Sequence, residues 1–312
     1  KDVNELISSL TNHSPIFCEK HPKSIVFMFS GQGSQYPKMA MELFGSVPYF
    51  ASILLECNNL VKLHLNCDLL AIIRNNNSHD TLINETQYTQ PTLFIIEYAL
   101  AKLLIFYGIT PQAMIGHSNG EYVAACIANV FSLEDAIKLI CKRGMLMAKA
   151  PRGSMLAIEC TQGIAVDLAL HNSTHNCIAS GSNEAITQLQ QTLNDSKLYP
   201  YQRLKVSHAF HSRLMENLHE EFKSIFKDGI VLHEPKIPII SNLTGKWLNS
   251  HEATSAEYWY QHMRHTVQFK QGIEFLLNDE YTSFIEVGVG NTLSSFIQEI
   301  SRKNAVKVNV IH

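Results

Sequence analysis

The chain has 312 residues and a formal net charge of −3, with 46% apolar and 17% charged residues. That length carries about two domains, or one large α/β domain with an insertion, and the apolar share excludes a disordered chain. The weak negative charge, without any run of basic residues, argues against nucleic acid as a partner, because neutralising phosphates takes clustered Lys and Arg.

Residues 1–23 are mixed and polar, with Pro15 and Pro22, and read as a short helix and a linker. The chain opens on Lys1 with no signal peptide ahead of the first motif, so it reads as a cytoplasmic segment cut from a longer polypeptide. Ile25 to Phe29 is wholly apolar and stops at Gly31-Gln-Gly-Ser34, the pattern of a buried parallel strand feeding a turn. Helical spacing follows over 38–74, then a loop at Asn75 to His79. Pro91 suits the first turn of an apolar helix over 92–107, which Gly108 and Pro111 end. Glu97 and Lys102 interrupt that apolar stretch, short of the about 20 residues a membrane span needs, so it reads as a core helix. Ala113 to Ile115 is a second strand, followed by a sharp turn and a helix over Glu121 to Ala128. Ser132 caps a helix over 133–149, with Asp135 at its positive end.

The rhythm changes over 153–212. A strand at Met155 to Ile158, helical spacing at 163–170, a strand at Cys177 to Ala179, a helix at 183–194 and a strand at Gln202 to Val206 point to a small ferredoxin-like α+β subdomain. Longer helices return at 214–227 and 267–277, with strands at Ile237 to Ser241 and Ser283 to Val287 and a last helix after Asn291. The expected organisation is a lead-in at 1–23, a large α/β core over 24–150 and 215–312, and the small subdomain over 151–214. Seven cysteines, none at metal or redox spacing, are expected as free thiols in a reducing compartment.

Gly116-His117-Ser118-Asn119-Gly120 is the strongest local signal, a G-x-S-x-G element between a predicted strand and a predicted helix. Such a turn holds its serine exposed at a helix N-terminus, and the next backbone N–H faces a developing oxyanion. A serine needs a base. His117 adjoins it, but neighbouring side chains on a sharp turn diverge; His208 and His211, in Ser207-His-Ala-Phe-His211-Ser212, are the other candidates. Arg143 suits bidentate capture of a carboxylate in an apolar site or, beside Lys142, a solvated face. Gly31-Gln-Gly-Ser-Gln35 lacks the last glycine of a dinucleotide fingerprint, since Tyr36 stands there, and reads instead as a turn presenting backbone N–H groups to an anion.

These elements stand in one order with Glu286-Val-Gly-Val-Gly290-Asn291. The set resembles the malonyl-CoA:acyl-carrier-protein transacylase family, above all the acyltransferase domains of polyketide synthases, over most of the chain. The resemblance implies an α/β-hydrolase-like core with a parallel sheet and an inserted ferredoxin-like subdomain, with the acyl group in the cleft between them. It implies Ser118 as nucleophile, His211 as general base, and the backbone N–H groups of Gln32 and Asn119 as oxyanion hole. Arg143 would pair with the acyl carboxylate and Gln90 would line the site. The base would be oriented by a main-chain carbonyl, assigned here to His262. The His208-Ala-Phe-His211 form resembles malonyl-selective members, which places His208 and Phe210 against the acyl group, with Phe210 leaving no room for an α-methyl.

The implied reaction moves a malonyl group from malonyl-CoA, through a seryl ester, to the phosphopantetheine thiol of an acyl carrier protein in polyketide or fatty acid synthesis. It uses no metal or cofactor. The alternatives are the same chemistry on methylmalonyl or another extender unit, and hydrolysis of carrier-protein thioesters. The implied partners are the carrier protein and an adjacent ketosynthase domain, with the isolated domain a monomer and no membrane contact. Three positions depart from the family pattern: Asn119 where an apolar residue is usual, and Val289 and Ser30 where proline is common.

Overall fold

The computed structural model describes residues 25–74, 82–159, 168–197, 199–204 and 206–312; the expected lead-in at 1–23 and loop at 75–79 lie outside them. Strand β1 (Ile25–Phe29) is buried from Val26 onward, on both faces. It pairs in parallel with β2 (Ala113–Gly116) on one side and β8 (Ser283–Glu286) on the other. β7 (Ile239–Ile240) adds outside β2, and β9 (Asn309–Ile311) outside β8, an edge strand the sequence pattern did not signal. The result is a five-stranded parallel sheet in the order β7-β2-β1-β8-β9.

Side chains alternate across that sheet. Phe27, Phe29 and Met114 face a large core shared with α4 (Thr86–Phe106) and α6 (Leu133–Lys149). Val26, Met28 and Ile115 face a second core with Ile273 and Leu276 of α11 (Phe269–Asn278) and Ile297 of α12 (Thr292–Lys303). Both faces being covered explains the unbroken apolar runs that mark these strands. The remaining core helices are α1 (Met41–Ser46), α2 (Pro48–Leu65), α3 (Leu69–Arg74) and α5 (Asn119–Ile127). Helix α4 is long and apolar enough to cross a bilayer, but 67% of its most apolar window is buried, and it packs on α2, α5 and α6.

Helix α4 corrects one expectation. It begins at Thr86, so Pro91 lies inside it rather than in its first turn. The first residues carry no apolar run because their polar side chains are held in place: Thr86 Oγ1 accepts from Gln32 at 3.2 Å, Thr89 donates to the Ile83 carbonyl in the preceding turn at 2.7 Å, and Gln90 is held by Arg143.

A second sheet is antiparallel, in the order β4-β5-β3-β6, from β3 (Ser154–Ile158), β4 (Leu168–His171), β5 (Cys177–Gly181) and β6 (Tyr201–Arg203). This is the ferredoxin-like strand order, and α7 (Asn183–Ser196) covers one face through Ile186, Leu189 and Leu193. The helical spacing read over 163–170 is partly outside the described residues, and from Leu168 onward it is strand β4, paired with β5. A 3₁₀ turn (Arg213–Leu218) and α8 (His219–Lys227) lead back to the core, followed later by α9 (Ser250–Ala253) and α10 (Ala256–Arg264).

The antiparallel sheet is stitched to the segment between α10 and α11. His171 donates its N–H to the Val267 carbonyl at 2.9 Å, and Val267 returns its own to Ala169 at 2.8 Å. Cys57, Cys67, Cys126 and Cys141 are free thiols, whereas Cys177 is disulfide-bonded, against the expectation of free thiols throughout. Spacing rules find knuckles and redox pairs, not partners brought together by the fold.

Candidate active site

β2 ends at Gly116, and the chain turns through Ser118 into α5 with φ 50° and ψ −107° at the serine. That conformation costs a non-glycine residue about 1–3 kcal/mol, which the surroundings must repay. The flanking glycines are steric necessities. A Cβ at Gly116 would lie 2.0 Å from the Glu121 nitrogen, and one at Gly120 would lie 2.2 Å from the Phe29 carbonyl oxygen. Gly31, after β1, brings its turn against the His117 carbonyl, 2.7 Å from where a Cβ would sit.

Ser118 Oγ lies 2.8 Å from His211 Nε2, and His211 Nδ1 lies 2.9 Å from the His265 carbonyl oxygen. A carbonyl only accepts, so Nδ1 carries the proton and Nε2 is left to receive the serine hydroxyl's hydrogen. His211 is buried, and its pKa is held well below 6.5, first by burial and then by Arg143, His262 and His117; the bond to the His265 carbonyl opposes this. It is therefore a neutral acceptor at physiological pH.

The orienting carbonyl belongs to His265, not to His262 as expected. His262 sits inside α10, where carbonyls run along the helix axis. His265 is the extended C-cap (φ −94°, ψ 168°), which turns its carbonyl out of that line towards His211. The His262 ring is nearby, edge-on to the His211 ring at 6.4 Å between centroids.

Arg143, on α6, is 1% exposed, which excludes the solvated-face reading. Its Nη1 donates to Gln90 Oε1 at 2.6 Å, its Nη2 to Ser118 Oγ at 3.4 Å, and its guanidinium lies 5.1 Å over the Tyr122 ring. Its Nε has no partner, and among the described residues no carboxylate pairs with it. Burial draws its pKa down, with Tyr122 opposing. A buried cation with spare donors and no counter-ion is an anion receptor in waiting.

The pocket beside Ser118 is lined by Gln32, Gln90, Asn119, Arg143 and His211, with an apolar wall from Met147, Met155, Leu170, Leu204, Val206 and Phe210. Met155 and Leu170 come from the antiparallel sheet, so the pocket lies between the two sheets. Asn119 is the first residue of α5, where a backbone N–H has no intrahelical acceptor, and Gln32 faces the same space. Gln32 Nε2 donates to Thr86 Oγ1 at 3.2 Å, and Asn119 Nδ2 to the Gln90 carbonyl at 3.2 Å, so neither side chain floats. His208 does not join them. It lines an adjoining groove with Lys149 and Arg152, its Nδ1 2.7 Å from Ser207 Oγ.

Two other motifs resolve into supports. His117 Nε2 meets Asn172 Oδ1 at 2.7 Å, tying the elbow to the loop after β4. Glu286 accepts the N–H groups of Leu293 at 3.1 Å and Ser294 at 2.8 Å, anchoring the positive end of α12. Sequence reasoning missed Asn242, whose Oδ1 accepts the Ser118 N–H at 2.7 Å, and it missed His265; both lie more than fifty residues from the groups they hold. Among the described residues, no group of three or more His, Cys, Asp or Glu side chains is placed to hold a metal ion.

A family model described as acyl transferase domain matches residues 26–311. The spectinabilin polyketide synthase system protein NorB of Streptomyces orinoci is 36% identical over 289 residues, which are 88% of this chain and 13% of that protein. The chain thus spans only a small part of that relative's length. Among solved structures, the acyltransferase domain from the second module of the salinomycin polyketide synthase matches with a TM-score of 0.83 at 33% identity, over 92% of this chain and 68% of that one. The malonyl CoA-acyl carrier protein transacylase of Clostridium perfringens matches with a TM-score of 0.80 at 25% identity, over 92% of both chains.

Proposed function

The chain belongs to the acyl transferase domain family, and from that premise we propose that it moves a malonyl group from malonyl-CoA, through an ester on Ser118, to the phosphopantetheine thiol of an acyl carrier protein. Ser118 Oγ attacks the thioester carbonyl while His211 Nε2 takes its proton. The N–H groups of Gln32 and Asn119 receive the charge that develops on the carbonyl oxygen. The carbon–sulfur bond breaks, the His211 imidazolium returns the proton to the departing thiolate, and coenzyme A leaves. The carrier thiol then gives its proton to His211 and attacks the ester, and Ser118 departs and recovers the proton. This two-stage exchange needs neither metal nor organic cofactor.

The observation that carries the reading is Arg143, a buried guanidinium without a carboxylate partner, 3.4 Å from the nucleophilic oxygen. A desolvated cation there favours an acyl group that brings its own carboxylate over a neutral one. Phe210 in the pocket wall favours malonyl over methylmalonyl, and one methyl is worth about 1–3 kcal/mol, so a minority of methylmalonyl loading is expected. A cytoplasmic location, where coenzyme A thioesters are made, fits this chemistry, as does an adjoining ketosynthase domain that uses the loaded carrier.

The test is intact-protein mass spectrometry after brief exposure to malonyl-CoA, methylmalonyl-CoA and acetyl-CoA in competition, with Ser118→Ala as control. A malonyl adduct absent from the variant is the expected result. A dominant methylmalonyl adduct keeps the mechanism and overturns the substrate. Free coenzyme A without any adduct means that deacylation by water outruns acylation, and the chain is a hydrolase.

A further inference from the structure

Parallel pairing of β2 with β7 matches Met114 to Ile239 and Ile115 to Ile240. Continued past both strand ends, that register sets Asn242 beside the nucleophile turn. Asn242 is buried, and all its polar groups are used. Its Oδ1 accepts the Ser118 N–H and its Nδ2 donates to the Gly116 carbonyl, each at 2.7 Å, so one amide grips the turn at the strained residue itself and two residues ahead of it. Its backbone N–H donates to Glu121 Oε2 at 2.7 Å, on the helix the turn opens. Its carbonyl accepts the Gln268 N–H at 2.8 Å. Gln268 is three residues from His265, whose carbonyl orients His211. One residue thus bonds both to the turn that carries the nucleophile and to the segment that aims the base.

We propose that Asn242 is a positioning residue that fixes the register between Ser118 and His211. It touches no reacting atom. The proposal rests on the reading of Ser118 and His211 as nucleophile and base, but not on the acyl donor. Its Oδ1 and Nδ2 carry the effect, since the backbone bonds to Glu121 and Gln268 survive any side-chain substitution.

The test measures the rate constant and the final extent of Ser118 labelling by a fluorophosphonate in wild type, Asn242→Ala and Asn242→Asp, read by intact mass. A misplacement of about 1 Å can cost a hundredfold in rate, so Asn242→Ala is expected to slow labelling about 10- to 100-fold while the final extent stays complete. The aspartate keeps the acceptor for the Ser118 N–H and loses the donor to Gly116, and its rate constant is expected between the other two. KM for malonyl-CoA is expected to stay within about twofold, because the acyl pocket is untouched. Three results overturn the proposal: a labelling rate constant in Asn242→Ala within twofold of wild type, a reduced final extent at an unchanged rate constant (a folding role alone), or an aspartate no faster than the alanine. Wild type that labels with the phosphonate but not with malonyl-CoA sinks the proposed substrate and leaves this comparison intact.

Discussion

Burial, and then Arg143, favour the neutral imidazole of His211, which suits it to the proposed role of base. Its pKa lies well below 6.5, so the form that accepts the serine proton is fully present at neutral pH and is lost only as pH falls through that depressed value. The rate of Ser118 acylation is therefore expected to be flat from pH 8 to 6.5, with its acid limb below 6.5; an inflection above 6.5 contradicts this account. On the proposed function, Arg143 sets the choice of acyl group rather than the rate alone. Removing it in Arg143→Ala takes away charge-assisted hydrogen bonds of about 1.5–3 kcal/mol each, so the malonyl-to-acetyl ratio of acylation is expected to fall by about 100-fold. Equal losses for both thioesters in competition assays would show that Arg143 supports the fold and does not read the carboxylate. At this scale the sequence was most informative about Ser118, because the G-x-S-x-G pattern states its own local geometry. It was least informative about the groups that aim the base. A backbone carbonyl has no side-chain signature, which is why His262 was named where His265 acts.

Among the elements, α6 was legible to the residue, from its Ser132 cap to Lys149. Local chemistry sets its start: the Ser132 hydroxyl accepts the Asp135 N–H at 3.0 Å. Ser132→Ala is expected to cost about 1 kcal/mol and lower the melting temperature by a few degrees, with acylation kinetics unchanged because the cap lies at the far end of the helix from the pocket. A change in kinetics without a change in melting would break that separation. Helix α4 and strand β4 were misjudged for a shared reason. Thr86 and Gln90 at the start of α4 have partners elsewhere in the chain, Gln32 and Arg143, and Leu168 to His171 is a strand because β5 lies beside it. Propensity and period describe a segment alone, and these two are decided by what they touch.

Across the whole molecule, the parallel sheet was visible in its apolar runs, while the seam between β4 and the segment after α10 was not, since it is built from backbone bonds at Ala169, His171 and Val267. Within the large core, Glu97 of α4 is fully buried beneath the turn after β1. Its Oε1 accepts the Ser30 N–H at 3.0 Å and bonds the Ser30 hydroxyl as well. Burial first, then Glu286, pushes its pKa well above 4.5, against the two Ser30 bonds. The folded state therefore holds this proton more tightly than the unfolded chain does. That contribution to stability is complete below the unfolded pKa and is lost as pH rises through the raised folded value. Glu97→Gln keeps an acceptor for Ser30 and has no charge to bury. Its denaturant midpoint is expected to gain on wild type as pH rises above 4.5, until the raised folded pKa is passed. Parallel midpoint curves for the two proteins would mean that Glu97 is ionised in the fold.

Ser118 and His211, the proposed nucleophile and base, are 93 residues apart in the chain. During synthesis at about 5–20 residues per second, Ser118 leaves the ribosome roughly five to twenty seconds before His211. The carbonyl that aims the histidine follows later still. Until all three have emerged and the two sheets have closed on each other, the serine is an ordinary alcohol. A half-made chain therefore lacks the pair on which the proposed acyl transfer depends, and on that proposal it stays idle until both sheets are in place.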